Sequence, residues 1–428
     1  MTKTYDSYKD SGIGWIGNIP GEWKIKKLGN FYTQRNEKVS DKDFAPLSVT
    51  MQGILPQLET AAKTNDGDNR KLVRVGDFAI NSRSDRRGSC GISPYDGSVS
   101  LINTVLCPKG KMNANFYNWL FHTTMFADEY YKWGHGIVDD LWTTRWSEMK
   151  NISVVEPPLS EQQAIATYLD KKCGEIDSLI SLQEEMISEL QAYKQSVITE
   201  AVTKGLDSNV PMKDSGIEWI GMIPEEWSIE FLSKIIWLRA RLGWKGLKAE
   251  EYVEEGFPFL SAFNIVNNKL KWEGLNFINQ ERYDESPEIK LSIGDVLIVK
   301  DGAGIGKTAR IDQLPEGEAT VNSSLGVITP SEKLDYKYLH YFLLSNSFQN
   351  IIGFIKNGMG VPHLTQENMK SVLITTPPLS EQQAIASYLD EKTSQIDSLI
   401  ALKQEKITEL KDYKKSIIYE YVTGKKKV

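Results

Sequence analysis

Several short segments of the sequence resemble catalytic or cofactor-binding motifs, and these are the residues whose spacing could do chemistry. The segment GAGIGKT at Gly302–Thr308 is close to a phosphate-binding loop, in which backbone amides surround a phosphate group. That motif requires a glycine five residues before Gly306. This chain has Asp301 there, and its carboxylate would repel phosphate. The sequence therefore argues against nucleotide binding by this loop.

Two Pro-Pro segments, EPPLS at Glu156–Ser160 and TPPLS at Thr376–Ser380, resemble the tetrapeptide with which adenine methyltransferases hold a flipped base. That tetrapeptide needs Asn or Asp before the prolines and an aromatic residue after them, whereas this chain has Glu or Thr before and Leu after. Asp284, Glu288 and Lys290 lie too close together in the chain for a nuclease-like metal site on separate strands. A glycine-rich loop for S-adenosylmethionine is also missing, so the sequence offers no credible catalytic site.

The composition is that of a globular protein with more than one core. The chain has 428 residues, of which 40% are hydrophobic and 25% charged. Cys90, Cys107 and Cys173 are scattered, and neither they nor the four histidines have the spacing of metal ligands. No apolar run is long enough to span a bilayer, and the N-terminal residues lack a secretory signal. We therefore expect a cytoplasmic protein without a metal site.

The sequence is an internal repeat of two halves. KDSGIGWIGNIPGEW at Lys9–Trp23 returns as KDSGIEWIGMIPEEW at Lys213–Trp227, with 12 of 15 positions identical. PPLSEQQAIATYLD at Pro157–Asp170 returns as PPLSEQQAIASYLD at Pro377–Asp390. The segments between these repeats have diverged, apart from a common VGDFAI and IGDVLI pattern. Two variable modules on a common frame are what proteins need when the modules meet different ligands.

Each PPLSEQQ segment begins a long helical pattern. Ser160 stands where an N-cap is expected, and apolar residues then recur at intervals that are mostly threes, fours and their sums, up to Val197 in the first copy and Ile417 in the second. A helix of about 40 residues is about 60 Å long, and a single narrow apolar stripe on it needs a partner helix. We predict that the two helices pair with each other in an antiparallel coiled coil. The alternative is an ordinary helix buried in a globular domain.

The variable modules have the mixed pattern of α+β domains. Short β-rich runs alternate with turn residues, and a helical stretch follows in each, at Asn113–Trp133 and at Leu334–Phe354. Loops near the VGD and IGD strands carry side chains suited to nucleic acid, because Arg matches guanine edges and Asn matches adenine edges. These candidates for DNA contact are Arg83, Ser84, Arg86, Arg87, His135 and Arg145 in the first module, and Arg239, Arg241, Lys245, Lys300, Lys307, Arg310, Lys356, Asn357 and His363 in the second. The alternative is that they lie on ordinary solvent-exposed turns.

The charge distribution does not favour strong independent binding to DNA. The formal net charge is −7, and it divides into +2 for residues 1–157, −4 for 158–205, −6 for 206–377 and +1 for 378–428. Neutralisation of phosphates usually dominates affinity for DNA. If the chain binds DNA, we expect it to use local basic clusters and the help of a partner.

The duplicated PPLSEQQAIAxYLD and KDSGIxWIGxIPxEW segments, together with the alternation of variable and near-identical segments, resemble the specificity (S) subunits of type I restriction–modification enzymes. The resemblance covers essentially the whole chain. It implies two target-recognition domains, at 1–157 and 206–377, and two conserved spacer helices, at 158–205 and 378–428, in a pseudo-twofold repeat. It also implies that each recognition domain reads one half of a bipartite asymmetric site in double-stranded DNA, while the helices set the spacer.

The same resemblance implies that the chain is not an enzyme. Two methyltransferase (M) subunits and the restriction/translocase (R) subunits of the full complex would bind S-adenosylmethionine, ATP and Mg and perform the reactions. This chain would bind no cofactor itself and would have no membrane partner. Two other functions stay open from the residues alone: a single-chain DNA modification or restriction enzyme, and a coiled-coil scaffold without sequence specificity.

Overall fold

The computed structural model of the chain describes residues 4–59, 66–83, 86–137, 142–240, 249–302, 304–315, 317–356 and 363–428. Its internal contacts divide the chain into two compact units, Met1–Glu184 with Gln404–Val428, and Glu185–Lys403. Both boundaries fall inside long helices. Each unit therefore contains one module and one half of each long helix.

The first module consists of short strands followed by short helices. Its strands are β1 (Tyr8–Asp10), β2 (Asn18–Pro20), β3 (Lys24–Lys27), β4 (Tyr32–Arg35), β5 (Lys38–Val39), β6 (Leu47–Thr50), β7 (Gly53–Pro56), β8 (Arg70–Val73), β9 (Phe78–Asn81), β10 (Cys90–Ile92), β11 (Gly97–Val99), β12 (Asn103–Pro108) and β13 (Ser153–Glu156). Its helices are α1 (Ala114–Phe121), α2 (Thr124–Lys132) and α3 (Trp146–Met149). The central sheet has the order β10-β9-β12-β4, and a smaller sheet has the order β11-β8-β5. The rings of Phe78 on β9, Phe121 on α1 and Phe126 on α2 pack together and form part of the core between the central sheet and these helices.

The second module repeats this plan. Its strands are β14 (Met212–Asp214), β15 (Met222–Pro224), β16 (Ser228–Phe231), β17 (Ile236–Arg239), β18 (Phe257–Leu260), β19 (Ile265–Val266), β20 (Lys269–Leu270), β21 (Asn276–Ile278), β22 (Val296–Val299), β23 (Thr308–Arg310), β24 (Thr320–Val321), β25 (Leu325–Pro330) and β26 (Leu373–Thr376). The long α4 lies between the modules in sequence, and the helices of the second module are α5 (Leu232–Ile235), α6 (Gln280–Asp284), α7 (Tyr336–Leu344), α8 (Asn346–Lys356) and α9 (Gln366–Lys370). The central sheet has the order β23-β22-β25-β17, which matches that of the first module. The α+β character predicted for both modules is confirmed.

The helical stretch predicted in each module is two helices rather than one. In the first module, α1 ends at Phe121, and the Thr123 hydroxyl accepts a hydrogen bond from the Phe126 amide at 3.2 Å and so caps α2. In the second module, the Ser345 hydroxyl is placed in the same way between α7 and α8 and accepts from the Phe348 amide at 3.4 Å. Hydroxyl side chains at such positions favour a helix start over a continuous helix, which explains both breaks.

The long helices are α4 (Leu159–Lys204, 46 residues) and α10 (Leu379–Val422, 44 residues). Each begins directly after the Pro-Pro pair, so Ser160 lies in the first turn of α4. The prediction that Ser160 is the N-cap is therefore wrong. Pro158 takes the N-cap position, and its carbonyl accepts the amides of both Glu161 and Gln162. Over the described residues, no helix is long and apolar enough to cross a membrane.

The two long helices pack against each other with opposite directions, as predicted. In the first unit the rings of Tyr168 and Tyr421 lie 4.5 Å apart, and Lys414 donates to Asp177 at 2.6 Å. In the second unit Lys194 donates to Asp397 at 2.6 Å. From one contact to the next, the residue number increases along α4 and decreases along α10, as in an antiparallel pair. The two ion pairs are copies of one another, because Asp397 and Lys414 lie 220 residues after Asp177 and Lys194.

The repeated segments form a joint between each module and its helix. The buried indole of Trp23 donates to the Glu161 carboxylate at 2.8 Å, and that of Trp227 donates to Glu381 at 3.0 Å. In both cases the tryptophan belongs to the KDSGIxWIGxIPxEW segment and the glutamate to the PPLSEQQ segment. The two near-identical segments of each half are therefore parts of one structural joint, although about 140 or more residues separate them in the chain.

Candidate nucleic-acid interface

The central sheets of the two modules have the same register, so residues of one module can be compared with those of the other. In the first module Gln34 lies opposite Leu106, and in the second module Leu238 lies opposite Ile328. Leu106 and Ile328 in turn lie opposite the first residue of β9 and of β22, the strands that follow VGD and IGD. Gln34 and Leu238 therefore occupy equivalent positions. The same step along the chain makes Asn36 equivalent to Ala240.

Strands β9 and β22 each lead into a loop that pairs with the segment before a short helix. Arg83 forms a β-bridge with Thr143, three residues before α3 begins. Asp301 forms a β-bridge with His363, three residues before α9 begins. The sheet end, the loop after the GD strand and the start of the short helix thus come together in each module. This surface carries Arg83 and Arg145 in the first module and Lys300 and His363 in the second.

In the first module this surface is a groove of about 640 Å³ with a strongly cationic lining. Among the described residues that line it are four cations and no carboxylate. Its lining is Gln34, Asn36, Lys71, Ser82, Arg83, Leu101, Ile102, Thr104, Thr143, Arg145, Trp146, Ser147 and Lys150. Positive charge in a concave surface attracts phosphates and the acceptor edges of bases.

Local structure holds the basic groups of the groove in place. The Arg83 amide donates to the Asn81 side chain at 3.0 Å, which fixes the loop directly after β9. Arg145 is the N-cap of α3, its amide donates to Glu148 at 3.1 Å, and its exposed side chain lines the groove. The Lys71 ammonium donates to a backbone carbonyl at 2.6 Å, and burial lowers its pKa. These contacts limit the positions that the cations can take.

Sequence reasoning missed part of this groove. The side-chain amides of Gln34 and Asn36 lie at its edge and hydrogen-bond to each other at 3.1 Å, and Lys71 and Lys150 complete its lining. These residues lie on β4 or directly after it, on β8 and directly after α3, away from the loops on which the prediction concentrated. The available signal was the divergence of Gln34 and Asn36 from Leu238 and Ala240 between two copies of one strand.

The equivalent surface of the second module is a smaller pocket, of about 130 Å³, with a different lining. Its lining is Leu238, Ala240, Ile298, Lys300, His363, Leu364, Thr365 and Met369. Apolar side chains form the floor, and Lys300, His363 and Thr365 supply the polar groups at the rim. The ring of His363 hydrogen-bonds to the Asp301 carboxylate through Nδ1. The second module thus combines an apolar floor with a polar rim where the first module has amides and arginines.

Of the predicted residues of the first module, Arg83 and Arg145 come together in the groove. His135 is exposed, and its backbone pairs with Thr143, which places it beside the same bridge. Arg86 and Arg87 are exposed on the loop after β9, and Arg87 stacks over a tyrosine ring at 3.9 Å and pairs with Asp128 at 3.0 Å. Ser84 lies outside the described residues.

Of the predicted residues of the second module, Lys300 and His363 come together at the pocket rim. Lys307 is exposed on the turn between β22 and β23, and Lys356 is exposed at the last residue of α8. Neither lines the pocket. Arg241, Lys245 and Asn357 lie outside the described residues.

Two predicted contacts, Arg239 and Arg310, have structural partners in place of a free surface position. The Arg239 guanidinium is buried and donates to both oxygens of Asp295 at 2.7 and 2.8 Å. The expectation that Arg239 faces a ligand is therefore wrong for this structure, because the last residue of β17 points into the module. Arg310 is mostly buried, and it donates to Asp390 on α10 at 2.7 Å and to Asp312 at 2.9 Å. Arg310 fastens its module to the helix.

The loop that resembles a phosphate-binding motif is a β-turn connection. It joins the antiparallel strands β22 and β23, whereas a phosphate-binding loop joins a strand to a helix. The Gly306 amide donates to the Val299 carbonyl at 2.9 Å, which closes the turn. In the part of the chain that the structure describes, no group of three or more His, Cys, Asp or Glu residues is placed to hold a metal ion.

Comparison with known proteins agrees with this architecture. The family model of the type I restriction modification DNA specificity domain matches residues 224–412. The type I restriction enzyme MjaVIII specificity subunit of Methanocaldococcus jannaschii is 26% identical over 426 residues, which cover 96% of this chain and 94% of that protein. The type I restriction enzyme EcoKI specificity subunit of Escherichia coli is 27% identical over 209 residues, or 48% of this chain and 44% of that protein.

Solved structures share the fold. A chain from a structural study of complex assembly and conformational transition of the type I R-M system has a TM-score of 0.72 at 16% identity, and the match covers 94% of this chain and 98% of that one. The HsdS subunit from Thermoanaerobacter tengcongensis has a TM-score of 0.52 at 18% identity, with 95% and 98% covered. Residues 224–412 therefore match the type I restriction modification DNA specificity domain, and the chain as a whole is similar in sequence and fold to type I restriction enzyme specificity subunits.

Proposed function

We propose that this chain is the DNA-reading subunit of a type I restriction–modification complex and that each module recognises one half of a bipartite, asymmetric site. One observation carries the proposal. The same surface recurs on both modules in the same register, yet its side chains differ, from Gln34 and Arg83 in one copy to Leu238 and Asp301 in the other. Different side chains on a common frame give different base preferences.

The paired helices support a docking role toward methyltransferase subunits. Monomeric proteins seldom expose contiguous apolar surface without a partner for it. The two helices expose apolar side chains at repeated positions, between 48% and 61% in each case. These residues are Leu179, Leu182 and Tyr193 on α4 and Leu399, Leu402 and Tyr413 on α10. Because the second set lies 220 residues after the first, the pattern suits two copies of one partner.

The reactions themselves belong to the partners in this proposal. The methyltransferase subunits bind S-adenosylmethionine, and the restriction/translocase subunits bind ATP and Mg, while this chain supplies the target sequence. The near-miss motifs support this division of labour, since the loop at Gly302–Thr308 is a turn between antiparallel strands. A single-chain enzyme would instead require a cofactor site within one of the modules.

Methylome sequencing tests the proposed function. Cells that carry the chain with its methyltransferase subunit should show adenine methylation at one bipartite sequence, and cells that carry the methyltransferase subunit alone should not. Purified chain incubated with DNA and labelled S-adenosylmethionine should transfer no label. Transfer by the chain alone, or methylation without a bipartite consensus, would contradict the proposal.

The helices also set the unread spacer in this proposal. Inserting one or two helical turns into Ser178–Ala192, about four or seven residues, should lengthen the spacer and leave both half-sites unchanged. The same methylome measurement gives the answer. An insertion that alters the half-sites would contradict the proposal that the helices set the spacer.

A further inference from the structure

The pocket of the second module has the chemistry of a thymine edge. Its floor is apolar, with Ile298, Leu364 and Met369 buried and Leu238 and Ala240 half-buried. Its volume of about 130 Å³ exceeds several times the space that a methyl group occupies, since a water-sized group takes about 30 Å³. In the major groove only thymine presents a methyl group, and its O4 acceptor lies next to that methyl.

The rim of the pocket suits the second feature of thymine. Lys300 is half-buried and lines the pocket, and an ammonium group donates hydrogen bonds and cannot accept them. It can therefore donate to thymine O4, while it opposes the amino group that cytosine presents at the same place. His363 lies on the same rim and is tied to Asp301. The pocket thus pairs an apolar contact with a cationic donor at its edge.

The first module shows what the same site looks like with another preference. At the two positions equivalent to Leu238 and Ala240, it has Gln34 and Asn36, whose amides hydrogen-bond to each other at the groove edge. Amide side chains suit adenine, and the neighbouring Arg83 suits guanine. The first module therefore reads polar edges at the place where the second has a hydrophobic floor.

We propose that the second module recognises a thymine by receiving its 5-methyl group between Leu238 and Ala240, so that these two residues determine specificity at one position of one half-site. The inference rests on the proposed function, because it names the base read by a surface already assigned to DNA. It goes further in assigning recognition of the methyl group to two apolar residues at the end of the edge strand, with Lys300 as the donor to thymine O4.

Substitution of thymine by deoxyuridine tests the inference without any change to the protein. The bipartite site is first read from the methylome, and each thymine in it is then replaced, one at a time, in a duplex bound by the complex of this chain with its methyltransferase subunit. Loss of a buried methyl group should weaken binding about fourfold at one thymine in one half-site. If no thymine shows a methyl effect while the wild-type complex still selects its site, the inference fails and the proposed function stands.

A double-mutant cycle assigns that methyl effect to the pocket. In Leu238→Asn the polar side chain removes the apolar floor, so thymine and uracil duplexes should bind equally well. The matched control is Gln34→Leu at the equivalent position of the first module, which should weaken binding of the thymine and uracil duplexes alike and leave the fourfold ratio between them intact. A methyl effect that persists unchanged in Leu238→Asn would overturn the assignment to this pocket. If the wild-type complex shows no sequence preference at all, the proposed function itself is wrong.

Discussion

Removal of the Asp295 carboxylate should destabilise the second module far more than removal of its equivalent destabilises the first. Asp295 is 1% exposed and binds Arg239, which is 7% exposed. In the first module Asp77 is 5% exposed, but its partner Arg35 is 26% exposed. Both pairs join the end of the edge strand to the GD motif. They differ in how much water reaches the arginine.

The burial of the arginine sets the size of the effect. In Asp295→Ala the Arg239 guanidinium keeps hydrogen bonds to two backbone carbonyls at 2.8 and 3.2 Å, and it loses both carboxylate contacts. An unpaired buried charge costs about 3–5 kcal/mol. In Asp77→Ala, Arg35 can turn toward water, and we expect a loss of about 1–2 kcal/mol, as for a hydrogen bond to a charged group near the surface.

Hydrogen exchange of the full chain measures the two losses side by side. If β17 and β22 exchange by opening of the whole module, about 3 kcal/mol corresponds to exchange more than about 100 times faster in Asp295→Ala. Strands β4 and β9 should respond to Asp77→Ala by about tenfold. The double variant Arg239→Met with Asp295→Leu should recover part of the protection, because no charge is then left buried. Equal responses of the two modules to the two alanine variants would refute this reasoning.

Four further outcomes are expected from the groove and the helix contacts. Lys150→Ala should reduce the slope of log affinity against log salt by about 0.9 without changing the half-site, which a salt titration of DNA binding measures. Arg83→Ala should weaken the preference at one position of the half-site by about 1–3 kcal/mol, which methylome sequencing measures. Burial raises the pKa of Asp390, but the contact with Arg310 outweighs burial and holds that pKa below its ordinary value. The ionised carboxylate therefore stabilises the fold fully above about pH 4 and progressively less at lower pH. Hydrogen exchange of Asp390→Asn and of the original chain, compared at equal pH, should show a stability difference that is largest above about pH 4 and shrinks below it. A double-mutant cycle of unfolding free energies on Lys194 and Asp397, which are 25% and 33% exposed, should give a coupling of only about 0.5–1 kcal/mol; a coupling near zero would remove this pair from the forces that set the helix register.

The repeat structure made much of the fold predictable. Apolar residues at intervals of three and four over about 40 residues leave few solutions except a paired helix, and the antiparallel contacts of Asp177 with Lys414 bear this out. The breaks at Thr123 and Ser345 were harder to foresee, because the apolar stripe continues across them. A hydroxyl at the cap position determines the local structure there, and the effect of one hydrogen bond is not visible in the spacing of apolar residues.

The candidate site was only partly predictable. Arg83 and His363 were foreseeable because loops after buried strands commonly carry function. Arg239 was misassigned because its partner, Asp295, lies 56 residues away, and an arginine at a strand end looks the same in sequence whether it faces water or a buried carboxylate. Gln34 on β4 and Asn36 directly after it were missed because their role becomes visible only when the sheet register makes them equivalent to Leu238 and Ala240.

The contacts of the joint explain why some segments stayed near-identical while others diverged. A tryptophan such as Trp23 and a glutamate such as Glu161 must match each other, and the helix that begins beside that glutamate must also match the second helix of the chain. A substitution in either repeated segment therefore disturbs the contacts at the joint and along the helix pair. Gln34 and Leu238 occupy equivalent positions and each lines a concavity beside the central sheet, although Leu238 also packs against the core of its module. The two copies of the strand diverge at the position that faces the concavity, and this is the physical reason to locate sequence recognition on that surface.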